Sequence, residues 1–314
     1  MKKLVALLIL ASISGIFYSC ADDTVTSPLV SDAYDWNIVY PRGPWPVTHI
    51  FAVDSQTAYI KTIRESYKYS NWTLSEFTIE PNYYWDYMES YNSDYLVFSG
   101  YNVSGGVVKI LEGSAITTIN IPSSLSKMKI VAPGKIFMIG GGGKYYIYNN
   151  SVTTQFTLPN NEYCDNIIKS DNQYYLITKK YPSINIYKFD EGSLTLIRKI
   201  PSENDGILSL NNKMIWFTRE DEKLTFYSYD NNSWNKFYRG RIRYPQKIAG
   251  EDISSLYALL MGEDVFFGGY VLQGEELARD MKLPAYATIS DMKQNMIFTT
   301  DSYGNIYTGR KSNR

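Results

Sequence analysis

A strand-like pattern that returns about every 40 residues constrains this 314-residue chain more than any single motif in it. Short runs of β-branched and aromatic residues recur: "TAYIKT" from Thr57, "YLVFSG" from Tyr95, "KIFMIG" from Lys135, "YYLITK" from Tyr174, "MIWFTR" from Met214, "LYALLM" from Leu256 and "MIFTTD" from Met296. With Tyr59, Val97, Phe137, Leu176, Trp216, Ala258 and Phe298 as anchors, successive copies lie 38, 40, 39, 40, 42 and 40 residues apart. Prolines keep the same phase, closing strand-like segments at Pro41, Pro81, Pro122, Pro159, Pro201, Pro245 and Pro284. Proline has no amide hydrogen for a sheet ladder and belongs at the edge or exit of a strand. About four strand-length runs fit between one proline and the next, as in "DNIIKSD", "QYYLITK", "SINIYKFD" and "LTLIRKIP". Nowhere does the apolar spacing match a long amphipathic helix.

Four antiparallel strands every ~40 residues make the blade of a β-propeller, so the pattern predicts an all-β ring of seven four-stranded antiparallel blades. Six or eight blades would follow if one anchor were a chance match. The last unit, from Tyr286, supplies three strands only, while "DWNIVYPR" from Asp35 precedes the first anchor. The N-terminal strand is therefore expected to join the last blade and remove the open seam. Residues 35–314 would form this single domain, residues 21–34 a flexible tether and residues 1–20 a signal peptide. The repeat resembles propeller families in general, without the WD40 or kelch signatures. "SYDNNSW", Ser228 to Trp234, resembles a degenerate Asp-box of sialidase-like propellers, a turn that is mostly structural where it occurs.

The first 20 residues have the parts of an export signal: Lys2 and Lys3, the apolar run Leu4 to Phe17, and a small-residue end at Ser19-Cys20. The run is shorter than the ~20 apolar residues that cross a bilayer, which argues against a retained anchor helix. Phe17-Tyr18-Ser19-Cys20 resembles the lipobox of bacterial lipoproteins, with Phe17 and Tyr18 bulkier than the usual pattern. That resemblance implies lipidation of Cys20 and attachment to the membrane through the N-terminal lipid. Cleavage after Ala21 is the alternative, since Ser19 and Ala21 are also small. Asp22 and Asp23 resemble the acidic export signal of surface lipoproteins in Bacteroidetes-like bacteria. The expected location is thus the outer membrane or cell surface, with a soluble periplasmic or secreted form as the alternative.

Composition narrows the chemistry. Charge is balanced, 31 basic against 32 acidic residues, which leaves no basic footprint for nucleic acid. One histidine, His49, and two cysteines argue against zinc, haem and iron–sulfur sites. No metal, cofactor or catalytic residue is predicted. Cys164 is expected to be a small apolar filler. "IGGGGKYYIYNN" from Ile139 is followed by a strand, and Tyr145 stands where a phosphate loop needs Ser or Thr, so an inter-strand turn is expected. "RGRIR", Arg239 to Arg243, reads as a solvated strand exit. Asp86, Glu89, Glu220, Asp221, Glu222 and Asp301 are expected on loops, where solvated carboxylates are ordinary.

The aromatic distribution is asymmetric. Connections between blades and those joining second to third strands emerge on one face of a propeller; the remaining turns emerge on the other. The first set contains Trp45, Tyr83, Tyr84, Trp85, Tyr87, Tyr101, Tyr163 and Tyr181, and the other turns, such as "DSQ", "NSD" and "DNQ", are small and polar. Aromatic planes with polar edges suit sugar faces and protein surfaces. These eight residues are the candidate ligand-binding set, for a glycan or an envelope protein, in a binding or scaffolding module. A propeller hydrolase or lyase acting on extracellular polysaccharide, and a purely structural member of a surface assembly, are the other readings.

Overall fold

In the computed structural model the described residues are 30–31, 34–40, 45–80, 83–102, 105–190, 192–202, 205–211, 213–221, 223–240, 245–250, 252–261, 267–274, 276–280, 287–293, 296–301 and 304–311. Cys20, the signal peptide, most of the tether, Glu222, Arg241–Arg243 and the proline landmarks Pro41, Pro81 and Pro284 lie outside them.

Two N-terminal strands, β1 (Val30–Ser31) and β2 (Tyr34–Tyr40), precede the blades. Blade 1 comprises β3 (Val47–Ala52), β4 (Thr57–Thr62), β5 (Ser66–Ser70) and β6 (Thr73–Glu76). Blade 2 comprises β7 (Tyr84–Asn92), β8 (Tyr95–Asn102), β9 (Gly105–Glu112) and β10 (Ala115–Ile121). Blade 3 comprises β11 (Leu125–Ala132), β12 (Lys135–Gly140), β13 (Lys144–Asn149) and β14 (Val152–Thr157). Blade 4 comprises β15 (Tyr163–Ser170), β16 (Gln173–Lys180), β17 (Ser183–Asp190) and β18 (Ser193–Pro201). Blade 5 comprises β19 (Asp205–Leu210), β20 (Lys213–Glu220), β21 (Lys223–Asp230) and β22 (Ser233–Gly240). Blade 6 comprises β23 (Pro245–Ala249), β24 (Tyr257–Met261), β25 (Phe267–Gln273) and β26 (Glu276–Asp280). Blade 7 comprises β27 (Ala287–Lys293), β28 (Met296–Asp301) and β29 (Ile306–Lys311), completed by β2.

Every anchor lies on the second strand of its blade, and the reason is burial on both faces. In β12, Ile136 and Met138 belong to the apolar cluster shared with blade 2, while the alternate residues Phe137 and Ile139 belong to the one shared with blade 4. A strand packed on both sides reads as a continuous apolar run. Outer strands show the opposite character: Val152–Gln155 of β14 are all exposed. Each adjacent pair of blades shares one apolar cluster, and Met296, Phe298 and Ile306 of blade 7 meet Ile50, Ile60 and Tyr69 of blade 1. The ring is closed.

Closure runs through β2, which pairs antiparallel with β29 and sets Trp36 opposite Gly309 and Asn37 opposite Thr308. A Cβ on Gly309 would stand 2.9 Å from three atoms of the Trp36 ring, so only glycine lets the indole lie across this strand. Trp36 Nε1 donates to Asp280 Oδ2 at 2.9 Å, and Tyr34 meets Tyr257 edge-on with ring centres 5.4 Å apart. The N-terminal segment thus ties blades 6 and 7 together. Val30–Ser31, within the stretch expected to be a tether, adds a parallel fifth strand beside Arg279 and Asp280.

Two proline landmarks need correction. Pro245 opens the inner strand of blade 6, paired with Leu260, and does not close blade 5; the first residue of a strand also tolerates a missing amide. In blade 1 the outer strand ends at Glu76, ahead of "FTIEP". Phe77 turns inward there and meets Tyr59 at 4.7 Å and Phe98 at 5.7 Å, leaving the sheet edge. Gly142 and Gly143 form the turn between β12 and β13 with φ of 68° and 70°, as expected of an inter-strand turn. The "SYDNNSW" turn is a hairpin tip with Asn231 and Asn232 at positive φ, and Asp230 accepts from Lys213 Nζ at 2.5 Å and Ser228 Oγ at 2.9 Å. Asp86 and Glu89 belong to inner strand β7, not to a loop, because the aromatic alternation of Tyr84–Asn92 carries the strand through them. Asp301 closes β28 and accepts from Tyr307 Oη at 2.8 Å.

Candidate functional site

The face carrying the blade-to-blade connections and second-to-third turns is the connection face; the other is the turn face. Tyr84 and Tyr101 are register partners at the connection-face ends of β7 and β8, 58% and 55% exposed. Side chains of directly opposed residues project to the same side of a sheet, so the two phenols form one exposed patch. In blade 4, Tyr163 begins β15 and Tyr181 sits in the β16–β17 turn, 56% and 79% exposed. Ile63, in the β4–β5 turn of blade 1, is exposed on the same face. Between the aromatic pairs lies the side-chain-poor turn Gly141–Gly143 of blade 3. The result is a crescent over blades 1 to 4.

The other four predicted residues are placed differently. Trp45 is half-buried, and the Arg64 guanidinium lies 4.0 Å from its ring centre. Trp85, one residue from Tyr84, points to the opposite side of β7 and is 2% exposed, packed against Phe51 and Phe98. The Tyr83 hydroxyl is directed at the carbonyls of Phe98 (3.0 Å) and Val107 (3.1 Å), and burial raises its pKa. Tyr87 faces the central cavity. On the turn face, contrary to the expectation of small polar groups, Trp72 and Tyr91 are exposed.

Beside the crescent, a groove of about 280 Å³ runs between blades 1 and 2, lined by Lys61, Arg64, Glu76, Glu80 and Tyr84 among others. Lys61 stands 3.8 Å from Asp86 and over the Trp85 ring at 5.4 Å; burial lowers its pKa despite the carboxylate. Lys109 bridges to Glu80 at 2.7 Å and donates to Thr118 Oγ1 at 2.8 Å. The groove thus offers paired charges of both signs beside flat aromatic surface.

A larger cavity of about 890 Å³ occupies the axis of the ring. Its walls are the inner strands, for most blades their C-terminal halves, and the turns that follow some of them, such as Asp54, Ser93 and Asn211, so it opens toward the turn face. Glu89 Oε1 accepts from Lys129 Nζ at 2.6 Å, and Tyr87 Oη donates to Glu89 Oε2 at 3.5 Å. Glu89 raises the Lys129 pKa against the effect of burial, while burial and Glu89 together raise that of Tyr87. Asp291 accepts main-chain amides from Ala52 (2.9 Å) and Met292 (3.0 Å). Sequence reasoning missed this site. Its signal is a buried methionine flanked by polar groups on inner strands: Tyr87-Met88-Glu89, Lys127-Met128-Lys129 and Asp291-Met292-Lys293. Cys164 is 2% exposed in the blade 3–4 cluster, and burial pushes its thiol up to about 12.

The fold and these surfaces define a seven-bladed β-propeller that carries, among the described residues, concave surfaces on both faces. No protein-family model and no curated protein matches the chain. Solved structures do. YCF48 bound to D1 peptide is 12% identical, with a TM-score of 0.64, over 91% of this chain and 100% of that one. The β-propeller domain of Cps50 (Swd1) from Myceliophteria thermophila is 10% identical, TM-score 0.65, over 88% and 100%. A catalytically inactive virginiamycin B lyase from Staphylococcus aureus with quinupristin is 12% identical, TM-score 0.61, over 88% and 100%. Likeness at these identities concerns the fold alone.

Proposed function

We propose that this protein is an exported propeller, lipid-anchored through Cys20, that serves as a binding or scaffolding module for a protein of the cell envelope. The partner docks on the connection face, across Tyr84, Tyr101, Tyr163 and Tyr181. The observation that carries this reading is the gathering on that face of four exposed tyrosines, two from blade 2 and two from blade 4. Exposed tyrosines of this kind supply large contact area at low conformational cost, and aromatic residues dominate protein interfaces. The YCF48 structure with its D1 peptide is a precedent for a propeller of this size holding polypeptide. The export pattern of Lys2 to Cys20 and the acidic pair Asp22-Asp23 support the envelope location.

Co-purification from native membranes tests the reading. A fixed protein partner should be recovered with the native chain and lost on combining Tyr84→Ala with Tyr181→Ala, while the thermal midpoint stays unchanged. Retention of the partner by that double variant would count against the crescent. Cys20→Ser should release the protein from the membrane fraction. An unmodified mature chain starting at Asp22, seen by mass spectrometry, would remove the anchor from the proposal.

A further inference from the structure

We infer that the axial cavity is a second ligand site, separate from the crescent, and that it is built for a neutral saccharide. Among the described lining residues the charges cancel, with Lys127, Lys129 and Lys293 against Asp54, Glu89 and Asp291. Three of these six, Lys129, Glu89 and Asp291, are already engaged. Lys129 is paired with Glu89 at 2.6 Å, and both Asp291 oxygens hold main-chain amides. A charged ligand therefore finds its counter-charges neutralised, and an apolar ligand would strip water from ionised groups without replacing its hydrogen bonds.

A hydroxyl group meets neither obstacle. It donates and accepts at once, and the paired groups keep spare capacity for both. Each carboxylate oxygen has a second lone pair, and the Lys129 ammonium has protons beyond the one given to Glu89. Hydrogen bonds to such ionised, fixed partners are the strong ones. Ser90, Asn92, Asn166, Ser209 and Asn211 extend the polar lining round the ring. The Phe51 and Tyr87 rings meet edge-to-face at 5.3 Å on the wall, which supplies apolar surface for the C–H face of a pyranose. The volume of about 890 Å³ lies within the ~300–1,000 Å³ usual for small-ligand sites.

Isothermal titration calorimetry on the full chain tests this with maltose, cellobiose and N,N′-diacetylchitobiose as neutral probes and the dipeptide lysyl-glutamate as a zwitterionic one. At least one disaccharide should bind with a Kd of about 1 mM or tighter, ahead of the dipeptide. Combining Glu89→Gln with Lys129→Gln, which removes both charges together, should weaken that binding by about tenfold or more. Ser209→Trp, from an exposed position on the rim, should abolish it by filling the mouth, and keeps the test decisive should the double variant fail to fold. Val152→Ala, on the outer strand of blade 3, should change nothing. Three results would each overturn the inference. They are absence of disaccharide binding up to about 10 mM by natively melting protein, preference for the dipeptide, or saccharide binding that survives Ser209→Trp.

Discussion

Tyr84 and Trp85 are neighbours in sequence with opposite roles, because successive side chains of a strand point to opposite faces. Tyr84 stands in solvent on the crescent, while Trp85 fills the junction of blades 1 and 2 with its indole Nε1 lacking a partner among the described residues. Trp85→Ala should destabilise the fold by about 3–5 kcal/mol, read by urea unfolding, as for other large buried aromatic residues. Tyr84→Ala should leave stability within about 0.5 kcal/mol. Glu162 is a buried carboxylate, 3% exposed. Burial pushes its pKa up, but hydrogen bonds from Thr178, Asn185, Tyr187 and Asn160 outweigh this and hold it below the usual carboxylate range. A depressed folded-state value means the stabilisation is present above the unfolded pKa and disappears as pH falls through the folded one. Melting temperature should therefore drop as pH is lowered through and below the ordinary carboxylate range. Glu162→Gln should melt lower at neutral pH and show less of that acid dependence.

At the scale of elements, legibility in the sequence follows burial. Second strands such as Lys135–Gly140 are enclosed on both faces, and their apolar runs gave the 40-residue spacing directly. Outer strands carry exposed polar residues and are recognisable only by what ends them, so Pro245, which opens a strand, resembles an ending in the sequence. The candidate site was only partly legible for a related reason. Spacing fixes which end of a strand a residue occupies, but the side it faces depends on register, and one residue of slip reverses it. Hence Tyr84 and Tyr101 stand in solvent, while Tyr83, Trp85 and Tyr87 turn inward. The axial charges are hidden in the sequence because their partners come from different blades, as with Glu89 and Lys129, 40 residues apart. The closing pair β2–β29 depends on a missing side chain. Gly309→Ala should force the Trp36 indole aside and cost about 1–3 kcal/mol, seen as a lowered urea midpoint.

Among the described residues the molecule is stabilised by seven apolar clusters, each shared by two blades, so no blade has a complete core alone. Removing residues 1–40 would strip β2 from blade 7 and Tyr34 from the cluster between blades 6 and 7. The truncated chain should melt roughly 10 °C or more lower, with a broader calorimetric transition, and should aggregate through the bared edge of β29.

The pairing of Tyr34 with Lys311 also sets a timetable for the newborn chain. Translation delivers one half of the clasp ahead of every blade and its mate behind them, so the circle cannot shut until β29 has been made. Until then the flanks of blades 1 and 6 that await their neighbours stay open to water, and a chaperone arriving in that interval would find Ile50, Tyr69 and Tyr257 uncovered.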